Sequence, residues 1–305
     1  MSRYAEALIN PRGPGDARPT ALQIVKDEGI LNKLTDKIVL ITGGNQGIGL
    51  ETARALHATG ATVYITARSP EKIKQGIQDI VSRPEAQSEA HVHGIELRLD
   101  SFKSVRAAAK AFLSKVDKLN ILILNAGVMA TPEGKTGDGF ETQFGTNHLG
   151  HFLLFQLLKP ALLAATTPSF HSRVISLASK GHRAGGIRWD DYNFEKEAYN
   201  PWLAYAQSKT ANIYFAAELE RRYADQGIHG LSVHPGYILT NLVSKDWEGR
   251  GGKYLADFVE ERLVRPGVEP TSPELGHAAW IYDEEAERKL WAMSEKLVGY
   301  DTSQE

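Results

Sequence analysis

Residues 37–60 read KIVLI, then TGGNQGIG, then LETARALHATG, and this stretch decides the fold. Lys37 to Ile41 is a short apolar run rich in β-branched residues, the kind a parallel sheet buries on both faces. Thr42, Gly43, Gly44, Asn45, Gln46, Gly47, Ile48 and Gly49 follow as a glycine-rich turn, and the next eleven residues carry a helical pattern. A strand that runs through a glycine turn into a helix can hold phosphate. The glycines let the backbone approach a pyrophosphate, and the N–H groups at the helix start face its charge. The spacing is T-G-x-x-x-G-x-G rather than G-x-G-x-x-G.

Moving outward, Ala61 to Ala67 (ATVYITA) forms a second strand at the expected distance. An acidic residue at its end would bind the ribose 2′-hydroxyl of NAD. Here Ala67 is followed by Arg68, a cation suited to a 2′-phosphate, so the expected cofactor is NADP(H). Further apolar runs at 94–99, 119–124, 172–177 and 230–234 alternate with helical patterns at 47–59, 70–82, 102–116, 137–165 and 199–227. That alternation predicts an α/β fold in a single domain. Its core is a Rossmann-type, doubly wound parallel sheet with helices on both faces, giving three layers. Thr20 with Gln23 fits a capping box opening a short helix, ALQIVKDEGIL, after a loose arm over residues 1–19.

Composition excludes several classes. The chain has 305 residues and a net charge of −2, with the signs interspersed, so no electrostatic argument favours nucleic acid or an anionic membrane. There is no cysteine, which removes disulfides, thiolate metal sites and a cysteine nucleophile. The N-terminal segment MSRYAEALINPRGPGDARPT is polar and broken by Pro and Gly, so neither a secretory signal nor a membrane anchor is expected there. A cytoplasmic location follows as an expectation. His148 with His151, and His91 with His93, have no third ligand at metal spacing, and no metal site is expected.

Tyr205 and Lys209 are four apart on a predicted helix and stand one above the other on its face. An ammonium beside a phenol favours the phenolate and draws the tyrosine down from its usual value near 10, toward proton exchange with an alcohol or carbonyl at neutral pH.

With these motifs assembled, the chain resembles the short-chain dehydrogenase/reductases, and within them the branch of retinol dehydrogenases and WW-domain oxidoreductases. The motifs run in order over residues 36–240: the glycine turn, Asp100 after IELRL, Asn125-Ala126-Gly127 after ILIL, Asn147 in TNHLGHF, Ser179 in RVISLASK, Tyr205-x-x-x-Lys209, and Pro235-Gly236 with Thr240. The resemblance implies Tyr205 as general acid/base. Lys209 would lower its pKa and bind the nicotinamide ribose. Ser179 would hold the substrate oxygen, and Asn147 would bend its helix and anchor a relay water. Asp100 would take the adenine amino group. Asn125, Ala126 and Gly127 would line the adenine ribose, and Pro235, Gly236, Ile238 and Thr240 the carboxamide. Ser176 competes with Ser179, but Ser179 is placed at the strand's carboxyl end, where parallel sheets bind ligands.

The implied organisation is an arm and short helix over 1–35, a nucleotide-binding core over 36–240, and a roof over the substrate from 241 to 305. Ser272 before Pro273 reads as a helix cap in that last part, where the family's seventh strand has no clear counterpart. The long loop 180–198 also resembles the retinol-dehydrogenase branch. Trp189, Tyr192, Phe194, Tyr199 and Trp202 either line an apolar pocket or pack beneath that loop. The expected activity interconverts a carbonyl and an alcohol on an apolar small molecule, in a chain that could form a homo-oligomer. The alternative is a redox-sensing protein that binds NADP(H) without turnover. A sugar-nucleotide epimerase or dehydratase shares Tyr-x-x-x-Lys but normally carries a larger C-terminal domain.

Overall fold

The computed structural model describes residues 3–4, 7, 15–82, 91–236, 238 and 277–300. Six strands form one sheet: β1 Ile38–Ile41, β2 Thr62–Ala67, β3 Val92–Glu96, β4 Ile121–Leu124, β5 Ser172–Leu177 and β6 Ile228–Val233. Their order is β3-β2-β1-β4-β5-β6, the doubly wound order of a dinucleotide fold, and the registered pairs are parallel. Helices alternate with the strands: α1 Ala21–Asp27, α2 Gly47–Ala58, α3 Pro70–Val81, α4 Phe102–Leu113, α5 Gly150–Ala165, α6 Pro201–Tyr223 and α7 Glu284–Val298. The three-layer α/β architecture expected from the alternation is the one found.

Two compact units divide the described chain, one ending at Glu96 and resuming at His234, the other holding Leu97–Val233 and the 277–300 segment. In the first, β1 and β2 are almost wholly buried, with Val39, Ile41, Val63 and Ile65 at 0 % exposure, as strands covered on both faces must be. α3 starts on Ser69, whose hydroxyl accepts from Lys72 N, with Pro70 in its first turn. α1 is shorter than its sequence pattern. Thr20 Oγ1 accepts from Gln23 N at 3.1 Å, but the Gln23 amide turns to Asp27 Oδ1 at 2.6 Å, so only half of the expected capping box forms. β3 starts and ends earlier than the expected 94–99. Its ladder partner β2 stops at Ala67, opposite Glu96, and no pairing remains beyond that point.

In the second unit α4 packs on α5, and α6 packs on β5, β6 and α7. The expected helix 137–165 starts only at Thr142. Lys135 bridges Glu141 across a tight turn in which Gly139 has φ +86°, and Glu141 then caps the helical run through Gln143 N and Phe144 N. From Gly145 to Leu149 the run widens into a π-turn before continuing as α5. By length and apolarity Thr142–Ala165 could cross a membrane, but 78% of its most apolar window is buried, as befits a core helix. Aromatic packing joins α5, α6 and α7, with the Phe215 and Trp291 rings stacked at 5.8 Å and Phe152 edge-on to Trp291 at 5.0 Å. The sequence pattern did not mark α7. Its signals are nonetheless explicit: the Asp283 cap, Glu284, Glu285 and Glu287 in the first turn, and left-handed Gly299 after the end. Thr240, Ser272 and any seventh strand in 241–276 lie outside the described residues.

Candidate active site

α6 carries the reactive pair because its start is well fixed. Asn200 Oδ1 accepts from Trp202 N and Leu203 N, and Pro201 opens the helix. Tyr205 and Lys209 then fall on one face, both 6% exposed. Lys209 Nζ lies 5.6 Å from the Tyr205 ring centroid and donates to Leu177 O at 2.9 Å, at the end of β5. Burial lowers the Lys209 ammonium to about 8. The residues between the pair have tasks as well. Gln207 accepts from Arg188 N and donates to Tyr192 O, pinning the 180–198 loop. Ser208 Oγ accepts from Asn147 Nδ2 at 3.0 Å.

Asn147 sits in the π-turn, the kind of helix irregularity that often marks functional sites. Its amide spans the Val128 backbone, accepting from Val128 N at 2.8 Å and donating to Val128 O at 2.9 Å. Gly127 makes that approach possible. A β-carbon there would stand 3.0 Å from Asn147 Oδ1 and 3.8 Å from Lys209 Nζ, so the Asn125-Ala126-Gly127 turn, the amide and the ammonium meet at one point.

Ser179 follows β5 and is partly exposed, whereas Ser176 is 2% exposed inside the strand. Ser179 Oγ accepts from Gly181 N at 3.0 Å. A β-carbon on Gly181 would lie 2.8 Å from Tyr205 Cε1 and 3.3 Å from Ser179 Oγ, so one methyl-sized volume touches both groups. The structure therefore brings Asn147, Ser179, Tyr205 and Lys209 together within one unit.

Other expected residues are placed as follows. Asp100 is half-buried and follows Leu97 and Leu99, which are buried on either side of exposed Arg98. Its Oδ2 pairs with Arg98 at 2.9 Å, while buried Oδ1 has no hydrogen-bond partner among the described residues. In the first unit, Gly43 and Gly47 of the 42–49 turn have φ of +66° and +56°, which other residues rarely adopt. Gln46 gives α2 no side-chain cap, and no acidic residue lies in its first turn. Arg68 is exposed, and no ion pair is found for it among the described residues. Pro235, Gly236 and Ile238 are described, with Ile238 42% exposed. Among the described residues no cluster of three potential metal ligands occurs. His148 instead bonds Ser294 Oγ and His151 bonds Asn147 O, and burial depresses the two imidazoles to about 3 and about 4. Of the loop aromatics, Phe194 is buried against Tyr199 with Arg188 over its ring, whereas Trp202 is 44% exposed.

Sequence reasoning missed Gln143. It accepts from Ala130 N and donates to Tyr199 OH and Pro201 O, tying the 125–131 turn to the start of α6. Nothing local marks that role, because its three partners come from distant stretches of chain.

A doubly wound sheet with an uncapped glycine-turn helix, together with a buried Tyr–Lys pair beside a serine and an asparagine, defines a dinucleotide-dependent oxidoreductase. The family model for short chain dehydrogenases matches residues 37–251. The chain is 42% identical to the short-chain dehydrogenase/reductase prx1 of Penicillium roqueforti, covering 97% of this chain and 95% of that one. Human retinol dehydrogenase 13 is 37% identical over 87% of this chain and 85% of its own length. A crystal structure of a Mycobacterium paratuberculosis protein of uncharacterised function superposes with a TM-score of 0.65 at 36% identity, covering 86% and 93% of the two chains. The protein belongs to the short-chain dehydrogenase/reductase family, in its retinol-dehydrogenase-like branch, and is an NAD(P)(H)-dependent oxidoreductase of small-molecule carbonyl and alcohol groups.

Proposed function

We propose that this enzyme uses NADP(H) to interconvert a carbonyl and an alcohol on an apolar small molecule, with Tyr205 as general acid/base. One observation supports the reading most: a β-carbon built on Gly181 would lie 2.8 Å from Tyr205 Cε1 and 3.3 Å from Ser179 Oγ, so the phenol ring and the hydroxyl border one small volume. The residues present fit the dinucleotide. Asp100 Oδ1 is a buried acceptor lacking a donor among the described residues, suited to the adenine amino group. The open first turn of α2 suits a pyrophosphate. Exposed Arg68 at the end of β2 supports a 2′-phosphate and hence NADP(H) over NAD(H).

When bound, the dinucleotide supplies or accepts the hydride. The chain's own residues do the rest. Ser179 Oγ is held as an acceptor by Gly181 N, which leaves its proton to donate to the substrate oxygen. Tyr205 gives that oxygen a proton in reduction and removes one in oxidation. The Lys209 charge favours the phenolate, and Leu177 O fixes where the charge stands. Asn147 holds the Val128 backbone and so the turn next to Lys209. The retinol named for one relative, and the exposed Trp202, Leu203 and Trp280 in the same unit as Tyr205, support an apolar substrate. A cytoplasmic location and self-association remain part of the same reading.

The test mixes the purified chain with NADPH and a panel of apolar and polar aldehydes and ketones. Loss of the reduced-nicotinamide absorbance, fastest with apolar carbonyls, is expected. Tight NADPH binding with no consumption across the panel would contradict it.

A further inference from the structure

His182 is buried at 3% exposure and takes no part in the chemistry described so far. It lies three residues past Ser179, in the 3-10 turn Lys180–Ala184 that Ser179 caps. Both of its ring nitrogens are committed. Nδ1 lies 2.6 Å from Ser179 O, and Ala278 N donates to Nε2 across 3.2 Å. A carbonyl can only accept and an amide N–H can only donate, so the tautomer is fixed: neutral, with the proton on Nδ1. Burial holds the ring neutral, helped by Arg183 and His277, and brings its pKa to about 4. The Ser179 carbonyl also accepts from His182 N at 3.1 Å, and the Ser179 hydroxyl accepts from Gly181 N. The serine is therefore gripped at its carbonyl by the imidazole and at its hydroxyl by the turn.

The far side of the imidazole is equally anchored. Ala278 and Ile281 form a small buried cluster with Ala178, the residue before Ser179, and with Ile213 on α6. Tyr214 OH donates to Trp280 O at 2.7 Å. The 277–282 segment is thus pinned to α6, and the imidazole spans from it to the serine.

We propose that His182 is a positioning residue for the reaction, its neutral imidazole clamping the Ser179 carbonyl to the Ala278 amide so that the Ser179 hydroxyl meets the substrate oxygen. The inference rests on the role of Ser179 proposed above. Loss of the clamp lets the 179–184 turn shift while leaving the dinucleotide-binding residues in place, so the expected loss falls on kcat.

The test compares four single variants and one double variant in steady-state assays, with NADPH binding followed by fluorescence titration and folding by thermal melting. His182→Phe removes both bonds, His182→Asn keeps a donor near the Nδ1 position, and His182→Gln keeps a group that can reach Ala278 N. Ser179→Ala and the double variant S179A/H182F complete the cycle. His182→Phe is expected to lower kcat about tenfold to 100-fold with unchanged NADPH affinity, in line with the cost of misplacing a reacting group. His182→Asn should recover most of that loss and His182→Gln little of it. In the Ser179→Ala background, His182→Phe should cost almost nothing more, because the two side chains act through one interaction. Equal additional losses in both backgrounds, or a kcat for His182→Phe equal to that of the unaltered chain, would overturn the proposal. If His182→Phe does not fold, the comparison of His182→Asn with His182→Gln decides, and equal activity of those two overturns it. Full activity of Ser179→Ala would instead remove the assigned role of Ser179, and the role of His182 with it.

Discussion

Gly181 leaves open the space beside the Tyr205 ring: a β-carbon at residue 181 would stand 2.8 Å from Cε1 and 2.9 Å from Cδ1 of the phenol. The backbone of Gly181 lies outside the left-handed region, so the crowding comes from the neighbour and not from the turn. The ring is 6% exposed and rooted in the second turn of α6, whose start Asn200 caps, so it has little room to give way. Gly181→Ala should therefore displace the phenol. A fall in kcat on the order of 100-fold is expected from such a misplacement, with a melting temperature lowered by the overpacking, which costs about 1–3 kcal/mol. Steady-state kinetics beside a thermal melt checks it, and full activity would show that the ring tolerates the extra methyl.

The pH dependence follows from Lys209. Burial lowers its ammonium from 10.5 to about 8, so the cation is complete below that value and is lost as the pH rises through it. The charged form is the one that favours the phenolate, so loss of charge lowers the rate. In the reductive direction kcat/KM for the cofactor, which reports the free enzyme, should decline above about pH 8. Lys209→Arg keeps its charge at any accessible pH, and should shift that decline upward while lowering the plateau. A profile for the unaltered chain that stays flat to about pH 10, where even an unperturbed lysine begins to lose its proton, would contradict this.

Arg68 decides between the two dinucleotides. Its guanidinium is exposed directly after β2, so Arg68→Asp replaces a 2′-phosphate partner by a group that repels phosphate and accepts from a 2′-hydroxyl. KM for NADPH should rise roughly tenfold or more while that for NADH changes little or falls, a charge-assisted hydrogen bond being worth about 1.5–3 kcal/mol. Equal changes for the two cofactors would remove the assignment.

Local signals made much of this legible in the sequence. The 42–49 turn announces itself because glycine positions there answer to backbone conformation, and β1, β2 and β4 because buried parallel strands are nearly all apolar. The helix pattern at 137–165 ran too far upstream because Asp138-Gly139 turns the chain while Phe140 continues the apolar spacing. The partners of the site residues were not legible. Ser208 meets Asn147 across 61 positions and Ala278 meets His182 across 96, and neither spacing leaves a trace in any window of sequence. α7 was within reach, since its caps and first-turn acids are local.

The central claim, that the Tyr205 phenol moves the proton, is tested most directly by Tyr205→Phe. The substitution removes one oxygen and leaves the ring packed against Gly181. Rapid mixing with NADPH and the best carbonyl substrate gives the rate of the reductive step, and a parallel titration gives NADPH affinity. The account predicts a rate reduced by about 100-fold to 10,000-fold with affinity unchanged. A variant that reduces the carbonyl as fast as the unaltered chain would contradict it.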